Sequence, residues 1–173
     1  MNNKLRGESS LINHVDCFGF NINNPHPDLV QLLVNIKLMD DTVLLPQKAH
    51  QHDACWDIRS YEDIILKPFD PVKIETGLAF EIPNDYFLRI FSRSGLSSQG
   101  IILLNSVGII DPNYRGYIKI PLMNLTNKDI TIHKNDRIAQ IGFEKIIHAT
   151  WNIVDELSET ERGDNGFNSS GVK

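Results

Sequence analysis

The sequence predicts an all-β fold, from its two-residue periodicity, its turn chemistry and the little chain left for helix. Apolar and polar residues alternate, as in half-buried strands, in four segments: 34–38, 72–75, 118–122 and 130–133. Residues typical of turns separate the apolar runs in four places: 83–85, 111–113, 124–129 and 134–136. Many short strands joined by turns indicate a sandwich, jelly roll or barrel.

Each element has its own signal along the chain. The strand over 34–38 carries its apolar residues at Val34, Ile36 and Leu38. A second apolar strand ends at Phe91, and the segment after it, 94–100, leaves room for one short helix. Further strands are predicted over 107–110, which is wholly apolar, and after the turn at 134–136.

Length and composition divide the chain into one domain with two flanking segments. A domain in this size range buries roughly 70% of its unfolded surface, and the chain has 173 residues. Residues 1–33 are irregular and are predicted to form an N-terminal extension, while 34–156 form the β domain. Residues 157–173 are rich in glycine, serine, asparagine and charge, a composition that predicts a flexible C-terminal arm.

The charge and the cysteines exclude several classes of function. A formal net charge of −5 argues against nucleic-acid binding, which needs a basic surface; an anionic ligand must rely on a few well-placed basic residues. Cys17 and Cys55 have no metal or disulfide spacing, so we expect reduced thiols and a cytoplasmic location. No apolar run reaches the roughly 18–20 residues of a membrane span, and no signal-peptide pattern opens the chain.

Two stretches carry groups suited to nucleotide chemistry. In Phe91–Leu96, an arginine fork, a hydroxyl and a glycine follow an apolar strand, a combination that can hold phosphate oxygens. In Asn105–Gly116, Asp111 follows an apolar strand and Tyr114 comes three positions later. The carboxylate is placed to take a proton from water and the ring to stack on a base or sugar. The same residues would also suit a helix N-cap and a plain β-turn.

Two further stretches indicate a function only when they are considered together with the first two. Arg137 and Gln140 follow a turn and lead into a strand, where they would also suit an ordinary surface. In the C-terminal segment, Arg162, Phe167 and Ser169 provide a charge, a ring and a hydroxyl on a glycine-rich backbone. Such an arm could close over a triphosphate and cap a base, or it could be a disordered tail.

In this order, the stretches resemble the five motifs of trimeric dUTP diphosphatases. The resemblance covers roughly residues 34–173 and includes the approach to the last motif, 151–162. It implies a jelly-roll-like subunit, a homotrimer with three active sites at subunit interfaces, and Mg²⁺-dependent hydrolysis of dUTP to dUMP and pyrophosphate. The matching segments, in motif order, are 53–60, 93–96, 105–116, 136–140 and 162–171.

The resemblance implies roles for the residues of the third motif. Asp111 is the general base that activates water for attack on the α-phosphorus. Asn105 and the backbone around Ile109 and Ile110 read the uracil edge, in a hairpin too narrow for a 5-methyl group. Tyr114 packs under the deoxyribose and disfavours a 2′-hydroxyl. On the same hairpin, further backbone contacts to the base come from Lys119.

The other motifs would hold the phosphates and the metal. The resemblance assigns phosphate contacts to four residues of the second and fourth motifs: Arg93, Ser94, Gly95 and Gln140. Arg162 and Ser169 would clamp the distal phosphates, and Phe167 would lie over the uracil. Asp57 resembles the acidic residue that reaches magnesium through water. Arg137 is expected to be a structural ion-pair partner.

Some positions depart from the family pattern and keep two alternatives open. The loop over 93–100 is one residue shorter than usual, a length closer to dCTP deaminases. Deamination needs a glutamate where this chain has Pro121. Cys55 and Trp56 replace small residues, and the arm carries asparagine at positions where glycine is usual. A non-catalytic binding module is the other alternative, with the extension 1–33 as the segment that would meet a protein partner.

Overall fold

The computed structural model describes residues 32–166, which form eleven strands and one short helix. The helix, α1, spans Ser94–Ser97. The strands are β1 Asn35–Leu38, β2 Trp56–Arg59, β3 Ile64–Leu66, β4 Val72–Glu75, β5 Leu78–Glu81, β6 Tyr86–Phe91, β7 Ile101–Leu103, β8 Val107–Ile110, β9 Lys119–Asn124, β10 Ile130–Ile132 and β11 Arg137–Lys145. The predicted all-β class, the single helix after residue 93 and the alternating strands are confirmed. This part of the chain contains no helix that is long and apolar enough to cross a bilayer.

All strand pairs in residues 32–166 are antiparallel, in four small sheets. The largest has the order β2-β11-β6-β8, and a three-stranded sheet has the order β4-β9-β7. Two strand pairs, β1-β5 and β10-β3, complete the described arrangement. Because most neighbours in these sheets are distant in sequence, the pairing brings residues of the first, second and fourth motifs side by side.

The core lies where the inward faces of these sheets meet. In β6, Leu88 and Ile90 point inward and are almost fully buried, while Arg89 and Phe91 alternate with them and are half-buried. Ile74, Ile120 and other aliphatic residues of the three-stranded sheet are buried in the same cluster. Burial of branched aliphatic side chains stabilises such a core by about 1.5–3 kcal/mol each. The packed core therefore fixes the strand ends that carry the polar motifs.

One buried polar side chain holds a turn of the core. Asn124, at the end of β9, is fully buried. Its amide nitrogen donates to the carbonyls of Leu66 (2.9 Å) and Lys128 (2.7 Å). Its amide oxygen accepts from the backbone N–H (2.9 Å) and the hydroxyl (2.8 Å) of Thr126. The side chain thus ties β9 both to β3 and to the turn that leads into β10.

Replacing Asn124 with alanine is expected to lower the free energy of unfolding by about 2–4 kcal/mol, because buried groups lose their partners. Urea denaturation followed by tryptophan fluorescence would measure this loss. Asn127→Ala, in the same turn but exposed, is the matched control and should stay within about 0.5 kcal/mol of the parent. Equal stability of the two variants would contradict the role given to Asn124.

Candidate active site

The first, second and fourth motifs line one polar cleft of about 320 Å³. Strand β11 joins β2 on one side and β6 on the other, and the chain turns into α1 just after β6. Gln140 of β11 lies opposite Asp57 of β2 and Phe91 of β6. The polar residues that line the cleft include Asp57, Arg93, Ser94, Gly95, Arg137 and Gln140. The structure therefore brings together the four phosphate ligands predicted in the second and fourth motifs and the predicted metal-facing carboxylate.

The carboxylate of Asp57 lies between two arginines. Its Oδ1 accepts from Nε of Arg93 at 2.7 Å, and its Oδ2 accepts from Nη1 of Arg137 at 3.1 Å. Arg93 also donates to the carbonyl of Arg137, at 3.2 Å. Because the Asp57 side chain is only 14% exposed, burial limits the screening of these charges by water. Arg137 is thus an ion-pair partner, as expected, and Asp57 holds Arg93 at the cleft.

The start of α1 leaves backbone donors and space at the cleft. Leu96 and Ser97 donate their N–H groups to the carbonyl of Arg93, which closes the first turn. The preceding N–H groups, those of Ser94 and Gly95, have no carbonyl one turn earlier in the helix to bond. A Cβ added to Gly95 would meet no atom within 4 Å. The backbone here is open to an anionic ligand.

Gln140 has a structural contact in addition to its predicted one. Its Nε2 donates to the carbonyl of Ser92 at 2.8 Å. This bond holds the segment between β6 and Arg93 against β11. Gln140 is also one of the residues that line the cleft. Direct contact between Gln140 and phosphate remains a prediction.

The unusual residues of the first motif contact the cleft wall. Cys55 lines the cleft, and burial raises the pKa of its thiol, which keeps the sulfur uncharged. Trp56 has the Lys48 ammonium 4.2 Å from its ring centroid and packs edge-on against Phe143. The two larger side chains are therefore accommodated without closing the cleft. Cys55 forms no disulfide, while Cys17 lies outside the described residues.

The third motif, 105–116, forms a separate and mostly exposed segment that consists of β8 and the turns on either side of it. Within residues 32–166, β8 pairs with β6, whereas β9 pairs with β4 and β7, so the hairpin predicted for this motif does not form between β8 and β9. Asp111 is exposed and directly follows β8, and its carbonyl accepts from the N–H of Tyr114 at 3.1 Å. The Tyr114 ring is 44% exposed, and its hydroxyl donates to the carbonyl of Tyr117 at 3.3 Å. A Cβ on Gly116 would overlap this ring, reaching its Cζ at 2.6 Å. Glycine at position 116 therefore lets the tyrosine ring pack against the loop that connects β8 and β9.

The predicted base-reading residues lie along β8. Asn105 is exposed in the turn before β8, and the next residue, Ser106, has a φ of 59°. A left-handed serine is uncommon, and such residues cluster at functional sites. Ile109 is 54% exposed, whereas Ile110 is half-buried. Ser106 was not among the predicted site residues, because its conformation arises only in the folded turn.

Lys119 directs its side chain toward the protein. It lies opposite Glu75 in the pairing of β9 with β4, and its ammonium forms an ion pair with the Glu75 carboxylate. The hydrogen bond and charge of Glu75 raise the pKa of Lys119. The side chain is therefore occupied, and the contact of the Lys119 backbone with the base stays a prediction.

The turn that starts at Asp111 and the cleft lie toward opposite ends of the β6–β8 pair. Val107 of β8 lies opposite Phe91, next to the cleft, while Ile110 lies opposite Leu88. The three residue steps from Val107 to Ile110 span roughly 10 Å, and Asp111 and Arg93 lie beyond the two ends. Within the described residues, the cleft lining does not include Asp111. One chain therefore keeps the predicted base apart from the predicted phosphate ligands.

The chain after β11 has no regular secondary structure and is exposed from residue 147 to residue 166. From residue 147 onward, four large apolar side chains are more than 85% exposed: Ile147, Trp151, Ile153 and Leu157. Arg162 is exposed and donates from Nε to the carbonyl of Asn165 at 3.0 Å, within a local turn. Phe167 and Ser169 lie outside the described residues. The predicted roles of Arg162, Phe167 and Ser169 thus stay predictions.

Comparison with known proteins identifies the family of this arrangement. The dUTPase family model matches residues 41–171, which include all five motifs. A protein of Ehrlichia canis named deoxyuridine 5′-triphosphate nucleotidohydrolase is 41% identical over 146 residues, covering 82% of this chain and 95% of that protein. The protein of the same name from Nautilia profundicola is 43% identical, covering 80% of this chain and 98% of its own length.

Solved structures agree with this assignment and with the jelly-roll-like fold. A variant of the dUTPase of Staphylococcus bacteriophage 80alpha, with dUpNHpp, superposes with a TM-score of 0.73 at 30% identity. The match covers 81% of this chain and 99% of the phage protein. A variant of the phage phi11 dUTPase, described with a structural Mg(II) ion, has the same fold at 24% identity and a TM-score of 0.65, covering 72% of this chain and 97% of its own. The chain belongs to the dUTPase family.

Proposed function

We propose that this protein hydrolyses dUTP to dUMP and pyrophosphate. The observation that carries the proposal is its relation to proteins named deoxyuridine 5′-triphosphate nucleotidohydrolase, at 41–43% identity over at least 80% of the chain. The polar cleft and the exposed third-motif segment offer the two halves of a nucleotide site, one for phosphates and one for a base and sugar. The related phage enzyme, in turn, is described with dUpNHpp.

The cleft is the proposed phosphate site. Arg93 is held by Asp57, so its remaining donors would meet phosphate oxygens in a fixed direction. The N–H groups of Ser94 and Gly95, with the serine hydroxyl, would add neutral donors beside it. A protein with a net charge of −5 can hold a polyanion here because the basic groups are concentrated at the site.

The third-motif segment, 105–116, is the proposed base and sugar site. The side chain of Asn105 and the backbone near Ile109 and Ile110 would pair with the edge of uracil. Hydrogen bonds of this kind discriminate strongly, because a wrong base leaves buried polar groups unpaired. The exposed ring of Tyr114 would pack against the deoxyribose and leave no room for a 2′-hydroxyl. This division of roles gives selectivity for both the base and the sugar.

Asp111 is the proposed general base. Its carboxylate would take a proton from a water molecule as the water oxygen bonds to the α-phosphorus. The bond from that phosphorus to the bridging oxygen breaks, and pyrophosphate leaves with the electron pair. Phosphoryl transfer depends mainly on positioning and charge stabilisation. One carboxylate and a set of fixed donors are sufficient for such a step.

A magnesium ion fits this site only as a partner of the substrate. Within residues 32–166, no group of three or more His, Cys, Asp or Glu side chains could hold a metal ion. Mg²⁺ commonly keeps several waters and binds through one or two carboxylates and substrate phosphates. Asp57, at the cleft and already paired with two arginines, would contact it through water. When bound, the ion would neutralise part of the triphosphate charge.

The active form is proposed to be a homotrimer with sites between subunits. Support comes from the separation of Asp111 and Arg93 on one chain, which a neighbouring subunit would overcome. The exposed apolar side chains of 147–157 give a second reason, since contiguous apolar surface of this kind marks a contact with another chain. In such a trimer, the arm 157–173 would close over a site built by its neighbours.

Pyrophosphate release from dUTP, dCTP, dTTP and UTP tests the reaction. We expect turnover of dUTP with Mg²⁺ and at least about 10²-fold lower kcat/KM for the other three nucleotides. Ammonia release from dCTP would be measured in parallel to test deamination. Absence of dUTP turnover by the full chain would refute the proposal.

Mixing two inactive variants tests whether the site is shared between chains. Asp111→Asn and Arg93→Met subunits, unfolded and refolded together in equal amounts, should regain about a quarter of the parent activity, because sites that take each group from an intact neighbour are complete. Each variant refolded alone is the control and should stay nearly inactive. If the mixture is no more active than its components, base and phosphate ligands come from one chain.

A further inference from the structure

We propose that Arg115 is a positioning residue that fixes the Asp111–Tyr114 turn for catalysis and for sugar selection. Its guanidinium lies on the turn itself. Nη1 donates to the carbonyl of Pro112 at 2.5 Å and to the carbonyl of Tyr114 at 3.0 Å. Both carbonyls belong to the four-residue turn that begins with the predicted base. The inference rests on the proposed hydrolysis of dUTP. Arg115 would be a further residue that contributes to that reaction.

The turn has few other restraints. One backbone hydrogen bond, from Tyr114 N–H to the Asp111 carbonyl, closes it, and its side chains are mostly exposed. An isolated exposed turn of this kind samples several conformations. A planar arginine fork that bonds two of its carbonyls removes much of that freedom. Arg115 therefore acts on the direction of the Asp111 and Tyr114 side chains through the backbone that carries them.

The guanidinium is itself tied to the body of the domain. Nη2 of Arg115 lies 3.5 Å from Oε1 of Glu81, the last residue of β5. The other carboxylate oxygen of Glu81 accepts from Nδ2 of Asn35 at 2.7 Å. Asn35 opens β1 and lies directly opposite Glu81 in the strand pair. A chain of polar contacts thus runs from the edge pair β1-β5 to the catalytic turn.

The expected energies indicate that Arg115 orients the turn more than it stabilises the fold. The side chains of Arg115 and Glu81 are 52% and 55% exposed, and ion pairs this exposed add little to folding. Reaction rates are far more sensitive to orientation, since a shift of 1 Å can cost about 10²-fold. Arg115 should therefore matter more for turnover than for unfolding.

Arg115→Met tests the inference, because methionine keeps the aliphatic length and removes every donor. We expect kcat for dUTP to fall by about 10-fold or more, and the ratio of kcat/KM for dUTP to that for UTP to fall by a similar factor. Loss of sugar selectivity is the informative readout, because a merely less stable protein loses both substrates in parallel. Arg115→Lys, which can reach one carbonyl, should recover part of both quantities.

Lys134→Met is the matched control. Lys134 donates to the Thr42 hydroxyl at 2.9 Å in another exposed turn, so its loss removes a similar contact away from the site. Its kinetics should match those of the parent. Glu81→Gln should show a weaker form of the Arg115→Met defect, because the Arg115 guanidinium keeps its hydrogen bonds to the two carbonyls of the turn. Thermal unfolding of every variant would verify that the protein folds.

The outcomes separate this inference from the proposed function. If the parent hydrolyses dUTP and Arg115→Met keeps both its kcat and its selectivity, the positioning role is refuted while the reaction stands. A parallel loss of activity toward dUTP and UTP, with a lowered melting temperature, would also refute it, since it indicates a purely structural residue. If the parent has no dUTP turnover, the proposed function itself fails.

Discussion

Replacing Asp111 with asparagine is expected to lower dUTP turnover by about 10²–10⁴-fold, because the amide cannot accept a proton from water. Binding of dUTP should persist, since asparagine keeps the size of the side chain and the phosphate cleft is untouched. The turn should also persist, because its hydrogen bond uses the Asp111 carbonyl, not the carboxylate. Pyrophosphate release measures the turnover, and calorimetric titration with dUpNHpp measures the binding.

The control for this variant is Asp129→Asn. Asp129 is an exposed aspartate in the turn between β9 and β10. The substitution therefore makes the same change in charge outside the Asp111 turn. It should leave turnover within about twofold of the parent, as surface substitutions usually have small effects. Near-normal turnover of Asp111→Asn would refute the role of Asp111, and equal losses in both variants would indicate an effect of net charge alone.

Deleting residues 160–173 is expected to lower kcat/KM for dUTP by about 10²-fold or more, because closing segments exclude water and supply ligands to the phosphates. The deletion removes Arg162, Phe167 and Ser169 and keeps the exposed apolar residues between Ile147 and Leu157. Assembly should therefore be unchanged. Steady-state kinetics and light scattering would measure the two properties on the same samples.

A single substitution distinguishes two possible roles of the arm: contact with the phosphates and exclusion of water from the site. Arg162→Met keeps the length of the arm and removes its one guanidinium, so we expect a smaller loss than the deletion gives, mainly in KM. Glu159→Gln, an exposed neighbour, serves as its control. Full activity of the deletion variant would show that the segment 160–173 has no part in the reaction.

Local patterns in the sequence were sufficient for several elements. The alternation over 72–75 and 130–133 predicted β4 and β10, since a strand with one buried face requires a period of two. Four other strands, β2, β3, β5 and β7, were not predicted. They are three or four residues long, and alternation is absent from β3, β5 and β7; in β5, for example, the residues Leu78–Phe80 are all buried. Short apolar runs of this kind become strands only through their partners.

The residues of the candidate site also fall into two groups, those indicated by the sequence and those found only in the structure. The types and order of residues in the five motifs were sufficient to indicate phosphate, base and sugar contacts. Arg115 and Ser106 carried no such signal. The role of Arg115 depends on carbonyls that come within reach of its side chain only in the folded turn, and the left-handed backbone of Ser106 is likewise a property of the turn. Neither follows from residue type or spacing.

The sequence by itself determined the all-β class, the single short helix and the family resemblance, because periodicity and motif order are local properties of the chain. Only the tertiary structure decided that Asp57 lies between Arg93 and Arg137, and that Asp111 lies beyond the opposite end of the β6–β8 pair. The physical reason is that the strands that pair at the cleft, β2 with β11 and β11 with β6, are distant in the chain. Register, and with it the neighbours of each polar side chain, is fixed when the core packs.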